Sequence, residues 1–216
     1  MKLRTALLLP LAALAACGDV APAAAAVPSD PEAWTIGPII RGRNYSQGVP
    51  LHPIPRRGGG WHIDLPQAPG SVHYVTFRHG SLAGKRRIVL RYRLEMAPGV
   101  RLLAASDGKS GSMITPYFQR SGDNWSGRGR FEAYRWYATF ATHTPIRPGT
   151  NEIVAPLDGL WTAVERSTAR TAPEAFQAAV AQADQVGFVL GGGDGYGHGV
   201  FATGPARLIV IGFRVE

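Results

Sequence analysis

The chain has 216 residues, 45% of them hydrophobic, and a formal charge of +8, which allows one sizeable core but not two comfortable domains. A single cysteine excludes any framework of disulfides within the chain. The basic excess is nearly all arginine, since Lys2, Lys85 and Lys109 are the only lysines; its short runs, Arg56-Arg57 and Lys85-Arg86-Arg87, suit anionic glycans or lipid headgroups, and no nucleic-acid partner is expected.

The N-terminus begins Met1-Lys2-Leu3-Arg4, continues apolar from Ala6 to Leu14, and reaches small residues before the lone cysteine in Leu14-Ala15-Ala16-Cys17. That order is the layout of an export signal. A membrane span needs about 20 apolar residues, whereas this run is interrupted by Pro10 and ends at Gly18-Asp19. Leu14 to Cys17 resembles the lipobox of bacterial lipoproteins. The resemblance implies that residues 1–16 form a signal peptide and that Cys17 carries a thioether-linked diacylglycerol and an N-acyl chain, the several chains that stable anchoring requires. It also implies a cell-envelope address, with Gly18 resembling an outer-membrane sorting residue and Asp19 leaving inner-membrane retention open. An ordinary secretory signal cut within Ala23 to Ala26 is the other reading of the same residues.

Residues 17–33 are small, Pro-punctuated and almost without large apolar groups, so they read as a tether rather than a folded element. From residue 34 to 216, short apolar or alternating runs are separated by Gly, Pro, Asp, Asn and Ser, the pattern of an all-β sandwich. Expected strands are Trp61–Leu65, Ser71–His79, Ile88–Met96, Arg101–Ala105, Met113–Gln119, Phe131–Ala141, Asn151–Ala155, Gln185–Leu190 and Arg207–Val215. In the last, a central strand, period-two alternation places Ile209, Ile211, Phe213 and Val215 inward. One short helix is expected at about 172–182, with Thr171 as its N-cap and Phe176, Ala179 and Val180 on its buried face.

Two stretches carry the candidate chemistry. Tyr117 to Tyr137 is dense in aromatic residues and arginines, which suits sugar rings: their C–H faces stack on aromatic rings and their hydroxyls need directed donors and acceptors. On Phe131–Ala141, alternation sends Tyr134, Trp136 and Phe140 to the core and Arg135, Tyr137 and Thr139 to the other face. Trp125 lies in the turn-rich Ser121-Gly122-Asp123-Asn124-Trp125-Ser126-Gly127, where a large aromatic has less to pack against. The second stretch, Gly191-Gly192-Gly193-Asp194-Gly195-Tyr196-Gly197-His198-Gly199, is not a phosphate loop, because a strand follows where a helix N-terminus is needed. It reads as a tight crossover projecting Asp194, Tyr196 and His198 to one end of the sandwich.

The strand number, the Tyr134-Arg135-Trp136-Tyr137 strand, the turn from Ala155-Pro156-Leu157 to Trp161 and the Gly-Phe-Val-Leu-Gly-Gly-Gly strand end resemble galactose-binding-like jelly-roll domains and the carbohydrate-binding modules built on them. The resemblance implies a jelly-roll-like β-sandwich that binds a glycan without catalysis, and the expected ligand residues are Trp125, Arg135, Tyr137, Trp161, Asp194, Tyr196 and His198. Such domains often hold calcium, but no dense Asp/Glu loop is present and no cofactor is expected. An enzyme is the competing reading: the carboxylates a glycosidase would need are scattered singly, while His143, Tyr137 and Arg135 supply the residue types of a polysaccharide lyase. A third reading is a structural envelope lipoprotein that meets another protein.

Overall fold

The computed structural model describes residues 29–138 and 144–216; Cys17, the signal peptide, residues 17–28 of the expected tether, and Thr139, Phe140 and His143 lie outside them. The described chain is an all-β sandwich. Its larger, seven-stranded sheet runs in the order Trp34–Gly37, Tyr74–Arg78, Ala183–Gly191, Met113–Arg120, Arg135–Tyr137 and Thr162–Ala163, with Thr144–Pro145 also paired to Met113–Arg120. The five-stranded sheet runs Gly149–Pro156, Arg87–Met96, Ala206–Val215, Trp61–Asp64 and Ile54–Pro55, so the C-terminal strand is central, as its sequence implies. Neighbouring strands in both sheets pair antiparallel.

Alternating apolar residues from the two inner faces meet in one core. Its centre is Trp34, from the first strand of the larger sheet, whose ring lies 4.8 Å from Trp61, 4.5 Å from Phe77 and 5.3 Å from Phe213. Helix Pro173–Ala181 closes one end. Its buried Phe176, Ala179 and Val180 are the expected face, and the Phe176 ring packs on Trp136 at 4.9 Å. The N-cap is Ala172 rather than Thr171, because the Thr171 hydroxyl is engaged with Thr168 one turn earlier.

Two expected strands are altered by local geometry. Phe131–Ala141 does not run as one strand: Gly129–Ala133 forms a 3-10 helix, Tyr134 ends it half-buried in a helical conformation, and only Arg135–Tyr137 pairs into the sheet. In Ala206–Val215 the inward set is Ala206, Leu208, Val210, Phe213 and Val215, not Ile209 and Ile211. The register jumps between Val210 and Gly212, and such a bulge inserts a residue that shifts every later side chain by one position. Ile211 is that residue and is 44% exposed.

Val210 and Ile211 are equally apolar in the sequence, but the bulge separates them. Ile211→Lys is expected to change unfolding free energy by less than about 0.5 kcal/mol. Val210→Lys buries an unpaired charge and lowers stability by several-fold more; urea unfolding of the two variants checks the difference.

Candidate functional site

Strand alternation builds the site. Arg135 and Tyr137 sit on the outer face of the larger sheet, opposite Trp136, which belongs to the core. Neighbouring strands add Tyr117 and Gln119 to the same face, and Tyr74 and Val189 extend it. The ring centroid of Tyr117 lies 5.0 Å from that of Tyr74 and 5.1 Å from that of Tyr137, and the Tyr74 and Tyr137 hydroxyls hydrogen-bond at 2.7 Å. Burial pushes all three phenols above their ordinary range, so they stay protonated and serve as hydrogen-bonding groups.

A buried ion pair pins the loop above these rings. Asp123 Oδ2 lies 3.0 Å from Arg135 Nε and accepts from Gln119 Nε2 at 3.1 Å, while Asp123 Oδ1 accepts from the Trp125 backbone N–H at 3.1 Å. Tyr117 Oη donates to Gln119 Oε1 at 2.9 Å, linking the loop to the tyrosine floor. Burial raises the Asp123 carboxyl, and Arg135 pulls against that rise. Trp125 is thereby held with its ring 4.9 Å from the Arg135 guanidinium and edge-on to Tyr74 at 5.4 Å. Its φ of +64° is one of three left-handed non-glycine conformations among the described residues, each costing about 1–3 kcal/mol.

The glycine loop forms the facing wall. A Cβ at Gly197 would lie 2.5 Å from the Tyr74 ring, and one at Gly199 would lie 2.6 Å from the His73 ring. Side chains are therefore excluded where the loop crosses the sheet, and Asp194, Tyr196 and His198 project between the glycines. Tyr196 packs on Tyr137 at 4.7 Å and donates to the Ala163 carbonyl at 3.0 Å, while His198 Nε2 lies 3.4 Å from Asp194 Oδ2. Beneath them, His73 bonds Ser71 Oγ at 2.9 Å and the Gly197 carbonyl at 3.1 Å, and burial lowers its basicity.

Together these elements enclose a cleft of about 370 Å³, within the size range of small-ligand sites. Trp125, Arg135, Tyr137, Asp194, Tyr196 and His198 all line it, although they lie up to 73 positions apart in sequence. Trp161 does not. It is 1% exposed, its ring packs tilted against Phe118 at 5.0 Å, and its indole N–H closes the preceding turn onto the Pro156 carbonyl at 2.9 Å. Sequence reasoning missed Tyr74 and His73, whose strand reads as ordinary core, and missed Arg166 and Tyr45, which arrive from remote loops. The Ile39-Ile40-Arg41-Gly42-Arg43-Asn44 segment did carry a signal, a glycine-containing hairpin turn. A separate hollow of about 510 Å³, bordered by Asp64, Glu95 and Arg207, has no aromatic lining. Among the described residues no group of three His, Cys, Asp or Glu is placed to hold a metal, and no helix is long and apolar enough to cross a membrane.

Removing Asp123 leaves the buried Arg135 charge without its carboxylate. Asp123→Ala is expected to cost about 3–5 kcal/mol and to free the Trp125 loop, read out by chemical unfolding and by Trp fluorescence.

No protein-family model matches the chain, and no curated protein matches it, so the chemistry of the cleft is read from its own side chains.

Proposed function

We propose that the protein binds a carbohydrate, without transforming it, in the cleft between Trp125 and the 194–198 loop. The observation that carries this reading is the convergence of aromatic rings and fixed polar groups on one concave surface. Trp125, Tyr45 and Tyr196 offer ring faces and edges, and Arg135, Asp194 and His198 offer donors and acceptors. Sugars require this mixture, because their C–H faces are apolar while each hydroxyl needs a directed partner. Burial keeps the phenols of the tyrosine floor protonated, so they can donate hydrogen bonds as well as accept them.

A glycan array followed by calorimetry tests the reading. The protein is expected to bind at least one oligosaccharide, and Trp125→Ala to weaken that binding by about tenfold or more, given a stacking contribution near 1–3 kcal/mol. Because Trp125 also covers Tyr74 and packs on Arg135, the variant is expected to lose some stability as well, so its binding is measured at a temperature where circular dichroism shows it folded. Failure to bind any glycan refutes the proposal.

The second part of the proposal is the address. Cys17, preceded by Leu14-Ala15-Ala16, would carry the lipid anchor, and the Ala- and Pro-rich residues up to 33 would hold the sandwich off an envelope membrane, facing the periplasm or the exterior. Mass spectrometry of the mature protein is expected to find an acylated N-terminal Cys17. A mature start beyond residue 17 would refute the anchor.

A further inference from the structure

We infer that the sugar recognised at this cleft carries an anionic group, a carboxylate or a sulfate, and that Arg41 and Arg166 grip it; the inference rests on the glycan reading above. The three non-glycine residues with positive φ among the described residues are Arg41 at +51°, Trp125 at +64° and Arg166 at +69°. They border two adjoining recesses. Trp125 and Arg166 line the cleft, and Trp125 and Arg41 line the hollow beside it, which shares Ile40, Tyr45 and Trp125 with the cleft.

Each arginine occupies a turn position that another residue would fill with less strain. Ile40 pairs with Arg43, so Arg41 and Gly42 form a two-residue hairpin turn with positive φ at both positions, where Asn-Gly is the favoured pair. Arg166 ends a tight turn in which its N–H donates to the Ala163 carbonyl at 2.9 Å. Backbone economy therefore does not account for arginine at either position. Nor does internal charge pairing. Asp123 is engaged by Arg135 and Asp194 by His198, whereas no ion pair among the described residues includes Arg41, Arg43 or Arg166. Exposed guanidinium forks beside an aromatic recess suit bidentate recognition of a carboxylate or sulfate on a stacked ring. A lipid surface is the poorer fit, because Trp125 is only partly exposed and each arginine lines a recess rather than a flat face.

The test measures affinity of the full chain for three oligosaccharides of equal length: a hexuronate, a sulfated galactan and a neutral galactan. The expected result is at least tenfold tighter binding of one or both acidic probes than of the neutral one, with the acidic preference shrinking as salt is raised. Preference for the hexuronate assigns the group as carboxylate, and preference for the sulfated probe as sulfate. Arg41→Gly and Arg166→Gly relieve the backbone strain, so neither should lower thermal stability, yet each should reduce the acidic-to-neutral ratio by about tenfold. Arg91→Gln, a single-charge change on the opposite sheet, should leave the ratio unaltered. Binding of the neutral probe with no acidic preference overturns this inference and leaves the glycan reading standing. Binding to phosphatidylglycerol vesicles without selectivity among the sugars also overturns it, and binding to no sugar defeats both.

Discussion

A strand sends successive side chains to opposite faces, and the architecture at the cleft depends on that constraint holding through Arg135, Trp136 and Tyr137. Trp136 enters the core and packs on the helix, while its two neighbours stand on the outer face beside Tyr117 and Gln119. A register slip of one residue would bury a guanidinium and a phenol between the sheets and expose the indole. The strand is only three residues long, so the antiparallel pairing with Met113–Arg120 and Thr162–Ala163 on either side fixes its register.

The outer face consequently has a core of its own. Tyr74, Tyr117, Tyr137 and Val189 are buried there beneath Trp125, Val164 and Tyr196. Unlike the apolar layer between the sheets, this one contains an ion pair and a run of hydrogen bonds from Tyr117 through Gln119 to Asp123. Arg135 Nε meets Asp123 by charge and proximity rather than by a hydrogen bond, so the hydrogen bonds of Asp123 to Gln119 and to the Trp125 backbone carry the directional part of this network. The Trp125 loop is held by that network, and the conformational cost of presenting a strained tryptophan is offset by it.

Much of this was legible from the sequence where a local rule governed it. Period-two runs gave the long strands, a proline followed by good helix formers gave the helix, and a turn-rich loop around a tryptophan singled out Trp125. The misreadings came where non-local geometry decided. Nothing in Leu208-Ile209-Val210-Ile211 announces a bulge, so alternation carried back from Phe213 points to the wrong face before it. Trp161 is a large aromatic near a turn, like Trp125, but its indole finds a carbonyl five residues back and its ring finds Phe118. His73, Tyr45, Arg41 and Arg166 have no common sequence pattern; topology alone brings their loops to one face.

The alternation of glycine with larger residues in Gly195-Tyr196-Gly197-His198-Gly199 divides the loop's duties. Gly197 and Gly199 let the main chain itself form a wall against Tyr74 and His73, so the outline of the cleft is written in backbone. The exposed side chains of Asp194 and His198 then sit on a mould they did not shape. Substitutions at those two positions would change the charge and the hydrogen-bonding groups that the cleft presents, while its outline, set by the main chain, would stay the same.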